Sequence, residues 1–173
     1  MSRHRQILPI LNMLVLSSCA SYVPPKEGPQ AQFTFINNSS VIQPFMYTYA
    51  EPHCKNMIFF DLPKEQQGNQ NPMGDSTRMR LGGKWTTTIR ADQPFQFGIA
   101  GGENLGVIAA TCPYVTKLIP KEGASYEMNF DYKSDVKRCK LILEEIKADG
   151  SRVVVKEPEF RSFFNPSREE PCP

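Results

Sequence analysis

Aromatic and aliphatic side chains recur at every second position over much of this chain, the period of a β-strand with one face buried. Ala31, Phe33 and Phe35 alternate with Gln32 and Thr34, and the pattern resumes at Phe45, Tyr47 and Tyr49 after Asn37-Asn38-Ser39-Ser40. Met57 to Phe60 is a short apolar run that predicts a strand covered on both faces. Pro63 to Ser76 is rich in Lys, Gln, Asn and Gly and predicts a long exposed loop. Alternation returns over Thr77 to Leu81, breaks at Gly82-Gly83, and continues through Trp85, Thr87 and Ile89 within Lys84 to Arg90. Phe95, Phe97 and Ile99 follow, and Gly101 to Gly106 predicts a flexible loop. Val107 to Leu118 and Ser125 to Tyr132 flank the turn Pro120-Lys121-Glu122-Gly123, and the second segment presents Tyr126, Met128, Phe130 and Tyr132 to one side. Val136 to Ile146 and Arg152 to Val155 predict a hairpin reversed at Asp149-Gly150. A helix over Asp135 to Lys147 is the competing reading, because Leu141, Glu144 and Glu145 tolerate helix; strand is preferred.

Short strands separated by Gly, Pro and Asn turns predict an all-β fold, an antiparallel β-sandwich of about seven to nine strands, with a small closed β-barrel as the alternative. The sandwich is expected over residues 31–157. Residues 158–173 form a proline-rich tail whose Phe160, Phe163 and Phe164 call for burial, so the tail is expected to pack on the domain.

The start of the chain follows a different logic. Arg3 and Arg5 precede an apolar run from Ile7 to Leu16, and the run closes on Leu16-Ser17-Ser18-Cys19. It is too short for a lasting membrane span, which needs about twenty apolar positions, and its order is that of an export signal. The last four residues resemble the lipobox of bacterial prolipoproteins. The resemblance implies that residues 1–18 are removed and that Cys19 becomes the first residue, carrying acyl chains such as palmitate. Membrane lipid is then a partner through Cys19, because each buried methylene contributes about 0.8 kcal/mol and several chains hold durably. Ala20 after the cysteine, in place of Asp, implies the outer membrane, with the domain facing the periplasm or the cell surface. Residues 19–30 contain Pro24, Pro25, Gly28 and Pro29 and are expected to act as an extended tether.

Charge narrows the function classes. The chain has 20 basic and 18 acidic residues, and losing Arg3 and Arg5 with the signal leaves a near-neutral mature domain. No nucleic-acid partner is expected, since such binders carry a basic excess or cluster. Cys54, Cys112, Cys139 and Cys172 remain after processing, an even number that suggests two disulfides in an oxidising envelope. Cys-x-x-Cys spacing is absent, so the bridges are expected to be structural. The segment from Trp85 through Cys112, Pro120, Gly123, Tyr126 and Cys139 resembles small exported bacterial lipoproteins with immunoglobulin-like or transthyretin-like sandwiches. Four cysteines allow three pairings. Cys112 with Cys139 is favoured, leaving Cys54 with Cys172. In a flat meander the first two would lie roughly 10 Å apart, so one must sit at a strand end or on the facing sheet.

Candidate chemistry is sparse. His53 is the only histidine after the signal, and a metal or cofactor is not expected. Gly101 to Gly106 does not match a phosphate-binding fingerprint. Asn37 and Asn38 each begin a glycosylation sequon, which a bacterial address strips of meaning. Asp61, Asp75, Asp92, Glu103, Glu144 and Glu145 leave carboxylate hydrolysis formally open as the least favoured function. Tyr47, Tyr49, Tyr114, Tyr126 and Tyr132 suit interfaces, with core packing expected for most of them. The leading expectation is a lipid-anchored structural or protein-interaction module with an envelope protein as partner, and not an enzyme. The alternative is a periplasmic inhibitor or ligand-binding lipoprotein that uses loops 63–76 and 101–106.

Overall fold

In a computed structural model, residues 21–49, 57–68, 77–104, 109–133, 138–156 and 159–160 are described. They form twelve strands and one 3-10 turn at Lys64–Gln66. The strands are β1 (Gln30–Asn37), β2 (Phe45–Tyr49), β3 (Met57–Phe59), β4 (Lys84–Arg90), β5 (Phe95–Ala100) and β6 (Gly102–Asn104). They continue as β7 (Ala109–Thr111), β8 (Tyr114–Leu118), β9 (Ser125–Lys133), β10 (Arg138–Ile146), β11 (Arg152–Lys156) and β12 (Glu159–Phe160). Ten of them make two facing five-stranded sheets, one ordered β11-β10-β9-β1-β4 and the other β12-β8-β5-β2-β3, while β6 and β7 pair separately. The all-β sandwich is therefore the fold, and it is not a closed barrel.

Alternation decides the inner faces. Phe33 and Phe35 of β1 and Tyr126, Met128, Phe130 and Tyr132 of β9 are all buried, as are Met46, Phe97 and Ile99 of the opposite sheet, in one continuous core. Phe33 meets Phe97 edge-on at 4.9 Å across the gap, and Phe60 meets Trp85 at 5.3 Å. Aromatic pairs of this kind stabilise by about 0.5–1.5 kcal/mol beyond their area.

Every pairing but one is antiparallel. β1 runs antiparallel to β4 but parallel to β9, with Gln32 opposite Ser125 and Asn37 opposite Phe130. A parallel neighbour needs a long crossover, and turn signals in the sequence cannot reveal it. The hairpin between β10 and β11 is reversed where expected. Gly150 takes φ 80°, Lys147 N donates to Ser151 O at 2.9 Å, and Ser151 N donates to the Asp149 carboxylate at 2.9 Å.

Three local expectations need correction. Thr77 to Leu81 does not form a strand; Arg78 and Met79 make only isolated bridges, to Phe45 and Gln67. The stretch from Val107 to Leu118 is not one strand. Pro113 lacks an N–H and separates β7 from β8. Gly102–Asn104, expected as loop, is β6, paired with Ala109–Thr111.

Candidate functional site

Where β2 and β4 end and β5 begins, the segment before β1 crosses the sandwich and leaves a cleft of about 590 Å³. Its walls include Tyr22, Val23, Tyr49, Ile58 and Phe95, and its cations are Arg90 of β4 and Lys117 of β8. Among the described residues no carboxylate lines it. Arg90 and Lys117 come from different sheets, so the cleft exists only when the sandwich is closed.

The wall supplied by residues 21–25 is fixed by its own polar and aromatic contacts. Ser21 forms a parallel bridge with Phe59, and Tyr22 N donates to Phe59 O at 2.8 Å. The Tyr22 hydroxyl donates to Thr88 O at 3.0 Å, and its ring lies 4.5 Å from that of Phe60. Burial pushes the Tyr22 phenol up to about 12, against the opposing pull of the Arg90 charge. At neutral pH the hydroxyl is therefore a donor, as its bond to Thr88 requires. The segment expected to act as a spacer is thus joined to the fold from Ser21 onward. On the floor, Thr48 Oγ1 donates to Gln96 O at 2.6 Å, which satisfies the hydroxyl of a buried residue.

The residues singled out from the sequence lie elsewhere. Cys112 and Cys139 are joined in a disulfide with Cα atoms 6.0 Å apart. The geometric condition is met because Cys139 sits in β10 of one sheet while Cys112 precedes β8 of the other. The Tyr114 hydroxyl donates to Cys139 O at 2.9 Å and stitches the same two sheets. Cys19, Cys54, Cys172, His53 and Asp75 lie outside the described residues, as do 69–76 of the first candidate loop and 105–106 of the second. The described parts of those loops do not line the cleft.

Glu144 and Glu145 are committed to ion pairs. Glu144 accepts from Arg152 at 3.0 Å, and Glu145 accepts from Lys147 at 2.6 Å with Lys121 at 3.5 Å. Tyr126 and Tyr132 belong to the core, with Tyr114 packed against it. Tyr47 and Tyr49 instead form a second cluster with Phe45, Phe59, Ala100 and Val115. Among the described residues no group of three His, Cys, Asp or Glu side chains is placed to hold a metal ion.

Sequence reasoning missed Arg90 and Lys117, which stand at strand ends in unremarkable contexts. Tyr22 was the visible signal, an aromatic residue three positions after Cys19 in a proline-rich stretch. Comparison with known protein families, with curated proteins and with solved structures returns no match.

Proposed function

We propose that this protein is a cell-envelope lipoprotein, a β-sandwich held at the outer membrane by acyl chains on Cys19 and working as a structural or protein-interaction module without turnover. The observation that carries the reading is where the lipobox meets the fold. Leu16-Ser17-Ser18-Cys19 is followed after one residue by Ser21, the first bridged residue among those described. Acyl groups at Cys19 hold the sandwich itself at the lipid surface, since little chain intervenes. The commitment of Glu144 and Glu145 to ion pairs supports a non-catalytic role.

Substituting Cys19→Ser tests the address. The variant moves from the membrane fraction to the soluble fraction, and mass spectrometry of the native protein finds an acylated amino terminus. An unmodified Cys19, or a variant that still sediments with membranes, overturns the reading. Crosslinking in intact cells tests the interaction role, and repeated recovery of the protein alone counts against it. The cleft favours a second reading, a ligand-binding lipoprotein, with the cleft in place of the loops as its site.

A further inference from the structure

We infer that the cleft is a membrane-contact site that seats the phosphate groups of anionic phospholipids in the same bilayer that holds the anchor. The inference rests on the lipoprotein reading above and names the molecule its cleft meets.

Position comes first. Ser21 and Tyr22 line the cleft and are bonded to the fold. Cys19 stands two residues before Ser21, and two residues of fully extended chain reach no more than about 7 Å. The polar layer on each side of a bilayer's hydrocarbon is itself about 5–7 Å deep. A cleft tied this closely to acyl chains opens at the level of the headgroups.

Charge and polarity fit that level. Arg90 and Lys117 are exposed, and among the described residues neither is held in an ion pair or a hydrogen bond. Among the described residues no carboxylate lines the cleft, which leaves both charges to a phosphate. Lys26 and Glu27, beside the cleft in sequence, cancel one another. Val23 belongs to the same lining and at 74% is the most exposed large hydrophobic residue described. An apolar side chain that shares a cleft with two cations suits the boundary between headgroups and acyl chains. The attraction is local, which is why a near-neutral domain gives no sign of it in its net charge.

The test uses the mature chain, residues 19–173, carrying Cys19→Ser, so that neither the signal nor an acyl group contributes. Co-sedimentation compares vesicles of phosphatidylcholine alone with vesicles containing about one part in three phosphatidylglycerol. Each basic side chain near an anionic surface is worth about fivefold in partitioning, so the anionic vesicles retain the protein about 25-fold better. The double variant Arg90→Gln, Lys117→Gln loses that preference, while Lys64→Gln, Lys140→Gln, which alters exposed cations outside the cleft, keeps it. Matching thermal midpoints show that each variant is folded.

Equal retention on both vesicles, or an undiminished preference in the Arg90 and Lys117 variant, overturns the inference. So does inorganic phosphate that binds alone, by calorimetry, as tightly as the vesicles do, because the site would then be one for a soluble anion. Acylation is read separately by mass on the native protein. Failure of the anchor is thus distinguishable from failure of the cleft.

Discussion

Asn37 shows how much one residue decides. It is fully buried at the end of β1, its Nδ2 donates to Ile42 O at 3.0 Å and Arg80 O at 3.1 Å, and its Oδ1 accepts from Ser39 N at 3.0 Å. A sequon-like stretch is in fact a turn built around a satisfied amide. Gly98 matters for the opposite reason, lack of bulk. A Cβ there would lie within 2.3 Å of the Tyr47 ring, which is fully buried and has little room to move. Gly98→Ala is expected to cost about 1–3 kcal/mol through overpacking, seen as a lower thermal midpoint. Combining it with Tyr47→Leu removes the clash and recovers part of that loss, so the two effects do not add. Strictly additive losses would show that the ring is free to yield.

At the scale of elements, the bond between Cys112 and Cys139 links the two sheets across a sequence separation of 27. Closing a loop of that length restricts the unfolded chain by about 3.5 kcal/mol. Replacing both cysteines by Ala is expected to lower stability by about 2–4 kcal/mol in chemical denaturation, with circular dichroism still reporting strand. An unchanged denaturation midpoint would show that the bridge adds nothing to the fold.

Elements whose evidence is local were legible in the sequence: β2 at Phe45–Tyr49, the inward residues of β9, and the Asp149-Gly150 reversal. Each depends on a two-residue period or a turn dipeptide, and both are written in consecutive residues. Three features were not legible. The parallel pairing of β1 with β9 and the placing of Arg90 and Lys117 on one cleft join distant segments. The third, the seating of Tyr22 on Phe60, follows from where a sheet edge leaves backbone groups open, which no local pattern records.

Across the whole molecule the four edges of the two five-stranded sheets are treated unequally. The β4 edge is covered where Tyr22 bonds Thr88 O and where Lys84 N donates to the Gln66 side chain at 2.9 Å. The β3 edge is covered by Ser21 and Tyr22, and β12 is only two residues long. The β11 edge carries Val153, Val154 and Val155, all exposed.

Next to that edge, a charge network ties the outer faces of β9, β10 and β11 together. Burial raises the Glu127 carboxyl, but hydrogen bonds from Arg152 and Asn129 and the charges of Arg152 and Lys84 outweigh it. Its pKa therefore lies below the usual carboxylate range. A depressed folded pKa means that the stabilisation is complete above the unfolded carboxylate value and is lost as pH falls through the folded one. Denaturation midpoints measured from about pH 6 down to about pH 3 should decline, and Glu127→Gln should flatten that decline. An unaltered acid limb in the variant would assign the sensitivity to other carboxylates.

The place of β1, between β4 and β9, also governs how the chain comes together. β1 precedes every other described strand, whereas its parallel neighbour β9 is the ninth of the twelve. Until β9 arrives, one side of β1 offers open hydrogen-bonding groups and the aromatic face of Phe33 and Phe35 to anything nearby. Sequence-distant pairing of this sort slows folding. The amino-terminal half thus has a period of vulnerability that ends only when the carboxy-terminal third reaches it, and a chaperone that shields Phe33 and Phe35 during that wait would raise the yield of native protein.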